Sequence, residues 1–541
     1  MISTKTPLMA LVRTAYRLAK TAHQSTGIPA DEILDEWAEH QSRRAFLRKS
    51  GQLALLAGGV STLNACVPAN FEPGPPSIES LARTATQPCI AIIGAGIAGL
   101  HAAHILSNAG QTNFTIYEGA NRTGGRILTA RNIMATGLTT ELGGEFIDSG
   151  HRDVIRLAEE FGLTLLDTQA PSETALIKDA YFFNGRHYSL TQVVDAFREI
   201  TPQMERDINS LPNTITYQNN NAAARRLDQL SISAYLDQIG ARGLIKDLLE
   251  VAYETEYGLD PDQQSVINML FLISTDTKKG RFDIFGISDE RYKIQGGNGQ
   301  LTNRLADRYA SHIETGRVLQ AIRPVGSRYE LAFEGSSSIR ADYVLVTIPF
   351  TKLREVDIDV PLETVKRRSI NQLGYGTNAK LFLGFSERRW RSLGYSGYIF
   401  SNNGAQSGWD NSQLQPGMAG GYTVYLGGLR GENLGNGSVA SQASSYLPRL
   451  NEIFPGSQAR FNGRAERFHW PSYRFTKGSY ACYTVGQWTN IGGAEGEPVG
   501  RLFFAGEHCS ADFQGYMNGG AETGRKAARA LLKILTASNA G

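Results

Sequence analysis

The chain reads as an α/β protein built on a Rossmann-like nucleotide-binding domain. Three observations predict it. Cys89-Ile90-Ala91-Ile92-Ile93 is a short β-rich run suited to a strand buried on both faces. Gly94-Ala95-Gly96-Ile97-Ala98-Gly99 follows at once and opens a helical stretch from Leu100 to Ala109. A second β-rich run, Phe114-Thr115-Ile116-Tyr117, ends in Glu118, 19 residues after Gly99.

Each part of that unit has a physical task. Gly94 permits a tight turn, Gly96 lets backbone approach a pyrophosphate, and Gly99 lets helix pack on strand. The helix N-terminus then turns its unpaired N–H groups toward the phosphates. A carboxylate at Glu118 accepts hydrogen bonds from both ribose hydroxyls and repels a 2′-phosphate. Up to this point NAD and FAD fit equally well.

Composition narrows the class. Of 541 residues, 41% are hydrophobic and 20% charged, which excludes a disordered tail or a fibre. No apolar run reaches the ~18 residues of a membrane span. Residues 1–65 carry 8 basic and 5 acidic side chains, leaving 46 and 47 for the rest. A body so balanced offers no electrostatic basis for binding nucleic acid. The four cysteines, Cys66, Cys89, Cys482 and Cys509, form no C-x-x-C pair, so no metal site is expected. The sequence leaves open whether Cys482 and Cys509 pair.

The N-terminus predicts export. Arg43-Arg44-Ala45-Phe46-Leu47 precedes a mildly apolar, small-residue run from Gly51 to Ala65. Two adjacent arginines before a weak apolar core resemble a twin-arginine signal, whose machinery carries proteins already folded around a cofactor. Leu63-Asn64-Ala65-Cys66 resembles a lipoprotein cleavage box with an atypical asparagine. Residues 1–66 are thus expected to be a leader and the proline-rich 67–87 a linker. The mature protein would be periplasmic or lipid-anchored to the membrane surface.

The next segments choose between the dinucleotides. Arg122-Thr123-Gly124-Gly125-Arg126 sets two arginines around a glycine pair just after the ribose acid, and Glu141-Leu142-Gly143-Gly144-Glu145 follows. Near the C-terminus, Leu502-Phe503-Phe504-Ala505-Gly506-Glu507 reads as a strand ending in glycine and acid. Gly515-Tyr516-Met517-Asn518-Gly519-Gly520 then opens a last helix. With Tyr292–Asn298 leading into a helix through glycines and Ala341–Pro349 as a strand with a proline exit, these motifs resemble the flavin amine oxidase superfamily over residues 88–541. Monoamine oxidases, L-amino-acid oxidases and bacterial nicotine-type amine oxidases share them.

The resemblance implies an FAD-binding domain of the glutathione-reductase type with an interleaved α+β substrate domain. Residues 88–148, 288–345 and 465–541 are assigned to the first, 149–287 and 346–464 to the second. It implies that Arg126 and the glycines Gly143 and Gly144 lie close to the cofactor, Arg126 bringing charge to the diphosphate. Val318, in a strand, would pass the adenine. Gly506 and Glu507 would hold the ribityl chain, and the Met517 N–H would meet the pyrimidine edge of the flavin. That helix N-terminus favours the negative charge that collects on reduction.

The same resemblance places three catalytic side chains. Lys380, in Ala379-Lys380-Leu381-Phe382-Leu383, would hold a water against flavin N5 and assist reoxidation. Tyr480 and Tyr516 would flank the substrate amine with their π faces, leaving one approach to N5. Hydride would pass from the amine α-carbon to N5, giving an imine and then a carbonyl product, with O₂ reduced to H₂O₂. Ser479 stands where covalently flavinylated relatives carry cysteine, so FAD is expected to be held without a covalent link.

The substrate is less legible. Phe146 occupies the place where L-amino-acid oxidases of the venom type carry a carboxylate-binding arginine, and Arg152 lies elsewhere, which argues against an amino acid held in that way. Glu145 beside Phe146 would either attract a second cationic group, as in a polyamine or basic amino acid, or serve as a structural acceptor. The competing functions are an FAD desaturase or porphyrinogen-type oxidase, a quinone-coupled amine dehydrogenase and a cofactor-loaded protein without turnover. A homodimer is expected as an open possibility.

Overall fold

The computed structural model describes residues 87–286 and 288–540. The twin arginines, the cleavage box and nearly all of the linker lie outside them.

A five-stranded parallel sheet anchors the fold. Its strands are β1 (Ile90–Ile93), β2 (Phe114–Tyr117), β9 (Ile313–Glu314), β13 (Tyr343–Val346) and β20 (Leu502–Phe504), in the order β20-β13-β1-β2-β9. β1 pairs in register with β13 on one side and β2 on the other, which explains its run of four buried residues. Strands from three distant chain segments thus meet in one sheet.

Helix Ile97–Asn108 covers one face of this sheet, and the long C-terminal helix Met517–Ala540 lies along it. The approach is close. A Cβ on Gly524 would fall 2.2 Å from the Ala98 carbonyl oxygen. The other face meets a four-stranded sheet of β10 (Leu319–Val325), β11 (Arg328–Phe333), β12 (Ser336–Ala341) and β14 (Asp357–Ile358).

The second large sheet has seven strands: β6 (Ile177–Phe183), β7 (Arg186–Tyr188), β15 (Ala379–Phe385), β16 (Tyr395–Ser401), β17 (Gln406–Asp410), β18 (Gly420–Leu426) and β19 (Phe461–His469). Its order is β19-β15-β18-β17-β16-β6-β7. β19 runs across the expected domain boundary at 464/465, because it stays paired to β15 as far as His469. Helices from Leu190 to Leu272 pack a separate core beside this sheet, as the apolar spacing of that segment requires. Two short pairs, β3 (Thr129–Arg131) with β4 (Thr139–Glu141) and β5 (Leu165–Asp167) with β8 (Tyr292–Ile294), complete the strands.

Cys89, Cys482 and Cys509 are free thiols, so Cys482 and Cys509 do not pair. No described helix is long and apolar enough to cross a membrane.

Candidate active site

One continuous cavity runs from the glycine turn after β1 to Lys380, Tyr480 and Tyr516. At its first end, Gly94 has φ +110°, a conformation that favours glycine. A Cβ on Gly99 would lie 2.0 Å from the Gly94 oxygen and 3.1 Å from Ile92, so helix could not close on strand with any larger residue. Gly96 faces the second glycine motif, where a Cβ would lie 3.9 Å from Gly125 Cα, and bridges to Gly124. Two glycine backbones and a helix N-terminus thus border one gap, a cradle for a diphosphate.

Glu118 ties this cradle together. Its carboxylate accepts the Ala95 N–H at 2.7 Å and the Ala120 N–H at 2.8 Å, and burial raises its pKa. Val318 lines the cavity beside Gly119, yet it is not in a strand. It precedes β10 by one residue, where its carbonyl accepts the Glu334 N–H at 2.8 Å. The expectation of a strand residue is corrected accordingly.

Arg126, expected at the diphosphate, has Nη1 donating to Glu507 Oε1 and to the Ser479 carbonyl, both at 2.8 Å. Glu507 also accepts the Gly515 N–H at 2.8 Å and the Ala481 N–H at 3.3 Å. The pair therefore ties together the chain on either side of Tyr480 and the approach to Tyr516. Gly506 donates to Thr523 Oγ1 at 2.9 Å, which fixes the end of β20 on the C-terminal helix. Met517 opens that helix and packs on Gly144, where a Cβ would meet Met517 Cγ at 2.7 Å. At Gly143 a Cβ would meet the Arg126 oxygen at 1.8 Å.

Lys380 lies in β15, an inner strand between β18 and β19, so it cannot snorkel to solvent from a sheet edge. Its Nζ donates to Gly143 O at 2.8 Å, Glu141 O at 3.2 Å and Glu145 Oε2 at 3.2 Å. An ammonium has three N–H donors, and three protein acceptors cover them. The ammonium expected to hold a water against flavin N5 is thus already surrounded by three protein acceptors. Burial lowers the Lys380 pKa, opposed by the carboxylate of Glu145.

Glu145 is also met by Lys293, whose Nζ donates to Oε1 at 2.7 Å. Two ammonium groups on one carboxylate hold it ionised against a strong desolvation cost, and its pKa falls. Of the two readings of Glu145, a magnet for a second cationic group or a structural acceptor, its two lysine contacts favour the structural acceptor. Phe146 lines the cavity edge-on to Trp409 at 5.5 Å between ring centroids, with Lys293 over its ring. Arg152 does not line the cavity.

The two tyrosines converge on one residue. Tyr480 OH donates to the Glu256 carbonyl at 2.6 Å and lies 2.8 Å from Tyr425 OH. Tyr516 OH donates to Glu256 Oε1 at 2.7 Å. Burial raises both phenols well above their ordinary 10, so the rings present neutral π faces. Sequence reading missed Glu256, Glu290, Lys293, Trp409 and Tyr425, all of which touch or line this region. Lys293 falls within the Tyr292–Asn298 motif and was findable as a cation entering a buried turn; the others carry no local signal.

The cavity fits the flavin dinucleotide: a glycine cradle and ribose acid at one end, an apolar aromatic chamber with a buried lysine at the other. None of Cys89, Cys482 and Cys509 lines it, so no described thiol is placed to form a covalent flavin link. The described residues contain no cluster of histidine, cysteine and acid able to hold a metal.

A glycine cradle leading to an aromatic chamber is an arrangement suited to a flavin-dependent oxidoreductase. The profile of the flavin-containing amine oxidoreductases matches residues 97–532, and the chain belongs to that family. It is 24% identical to the flavin-containing amine oxidase B of Bos taurus over 472 residues, which cover 82% of this chain and 86% of that one. Its fold is that of the cyclohexylamine oxidase from Brevibacterium oxydans, with TM-score 0.73, 22% identity, and coverage of 83% of this chain and 100% of that one. A putrescine oxidase solved with putrescine bound is similar at TM-score 0.71 and 18% identity, over 83% of this chain and 99% of that one. The protein is a flavin amine oxidoreductase that uses FAD and acts on amines.

Proposed function

We propose that the chain oxidises a primary or secondary amine to an imine, which water hydrolyses to a carbonyl compound, and that it works outside the cytoplasm. The observation that carries this reading is the convergence of Tyr480 and Tyr516 on Glu256 within the cavity that also holds Lys380. When bound, FAD supplies the hydride acceptor and passes the electron pair to O₂, giving H₂O₂, or to a quinone.

The protein's part is geometry and field. Each tyrosine hydroxyl is tied down, so each ring is held in one orientation and an amine between them meets a negative π face on both sides. Neither phenol is placed to act as a base, because both stay protonated. The amine must therefore arrive neutral, and activity should rise with pH through the amine's own titration. Lys380 and Glu145 hold the Gly143 loop against β15. Phe146 in the place of a carboxylate-binding arginine supports a simple amine over an amino acid.

The decisive measurement is anaerobic mixing of the yellow holoprotein with a panel of amines, following flavin absorbance. Bleaching is expected, and Tyr480→Ala with Tyr516→Ala should slow it about a hundredfold while FAD stays bound. Silence across the panel would favour a desaturase or porphyrinogen-type oxidase on this fold. Loss of FAD in the double variant would make the tyrosines structural.

A further inference from the structure

Two carboxyls open into the amine cavity: that of Glu256, which already holds the Tyr516 hydroxyl, and that of Glu290, which serves no step described so far. Glu256 closes the last turn of helix Leu244–Tyr257, and Glu290 lies two residues before β8. Both line the cavity, together with Tyr257, Phe285, Tyr398 and Trp409. We propose that Glu256 and Glu290 form the subsite for the far ammonium group of a diamine whose near amine sits between Tyr480 and Tyr516. This rests on the amine-oxidation reading above and names its substrate class.

Geometry singles out these acids from the others nearby. Glu256 Oε1 holds the hydroxyl of Tyr516, so its carboxyl stands one tyrosine ring away from the reacting amine. Glu290 is partly buried at the cavity wall, and its carboxyl receives no hydrogen bond from the described residues; its backbone is held on both sides, the N–H donating to Asp148 at 3.0 Å and the carbonyl accepting from Thr168 Oγ1 at 3.1 Å. Lys178, the cation that acts on Glu290, is bridged to Asp283 at 3.4 Å. Glu145, by contrast, is neutralised by Lys293 and Lys380.

The pair needs a positive partner. Glu256 and Asp148 repel charge on Glu290, and burial pushes both carboxyls up, Glu256 to about 7. Without a cation nearby, burial and their mutual repulsion favour the protonated forms. An ammonium group beside them favours their ionised forms, the carboxyl protons leaving to solvent, and Tyr398 and Trp409 line the same space. A monoamine of the same length would leave its methyl end against these acids, a polar site with nothing to bind.

The test compares kcat/KM of the holoenzyme for 1,4-diaminobutane and 1,5-diaminopentane with that for 1-aminobutane and 1-aminopentane. The wild type is expected to prefer the diamine over its matched monoamine by at least about tenfold. Glu290→Gln and Glu256→Gln should each carry that ratio toward one, through KM of the diamine more than kcat. A ratio near one in the wild type, or one that survives both substitutions, overturns the proposal while amine oxidation stands. If a variant loses FAD, the wild-type ratio decides alone. A protein that bleaches with none of the four amines overturns the amine-oxidation reading, and the proposal with it.

Discussion

Lys380, proposed from the family motif to act in reoxidation, lies in surroundings that the motif does not announce. Its ammonium is buried among Glu141 O, Gly143 O and the carboxylate of Glu145, which it shares with Lys293. Such a group is costly to bury and costly to remove, because the partner left behind keeps its charge. Lys380→Met should slow reoxidation of reduced flavin by O₂ far more than it slows amine-dependent bleaching, measured as separate half-reactions in a stopped-flow instrument. Equal slowing of both would mean that the lysine only holds the loop. The same substitution leaves Glu145 on Lys293 alone, and should lower stability by about 1–3 kcal/mol in denaturant unfolding of the holoprotein.

Elements transmit these constraints. Helix Ile97–Asn108 rests on β1 only because Gly99 has no side chain, and the C-terminal helix rests on that helix only because Gly524 has none. Gly99→Ala should therefore cost about 1–3 kcal/mol by overpacking and weaken FAD binding, read as flavin released on dilution. Unaltered flavin retention would mean that the strand–helix turn tolerates a shift. The proposed leader is testable by location. Arg43→Lys with Arg44→Lys should leave holoprotein in the cytoplasm of an exporting bacterium, seen by fractionation; normal delivery would remove the twin-arginine reading.

Across the whole molecule, buried ionisable groups couple stability to pH. Burial lifts Glu495 to about 7, with its carboxylate taking the Gly493 N–H at 2.8 Å and Lys366 nearby. An acid whose folded pKa lies above its unfolded one binds a proton more tightly when folded, so it costs stability as pH rises from the unfolded toward the folded value. Glu495→Gln should be nearly silent in mild acid and stabilising at neutral pH, the gain growing by about 2 kcal/mol between roughly pH 5.5 and 7.5. A constant difference across that range would show that Glu495 does not titrate there. The sequence alone determined the nucleotide fold and the order of its motifs, because a strand, a glycine turn and a helix are specified by neighbours a few residues apart, and the later motifs, through the family they resemble, implied FAD. The place of Tyr480 and Tyr516 in the cavity was legible through the short motifs around them. Only the tertiary structure decided the electrostatics of the chamber. Glu145 meets lysines 148 and 235 positions away, and Glu256 meets Tyr516 260 positions away. Charge acts through space, and which carboxylate is neutralised and which is left open to a ligand depends on distances that no local pattern encodes.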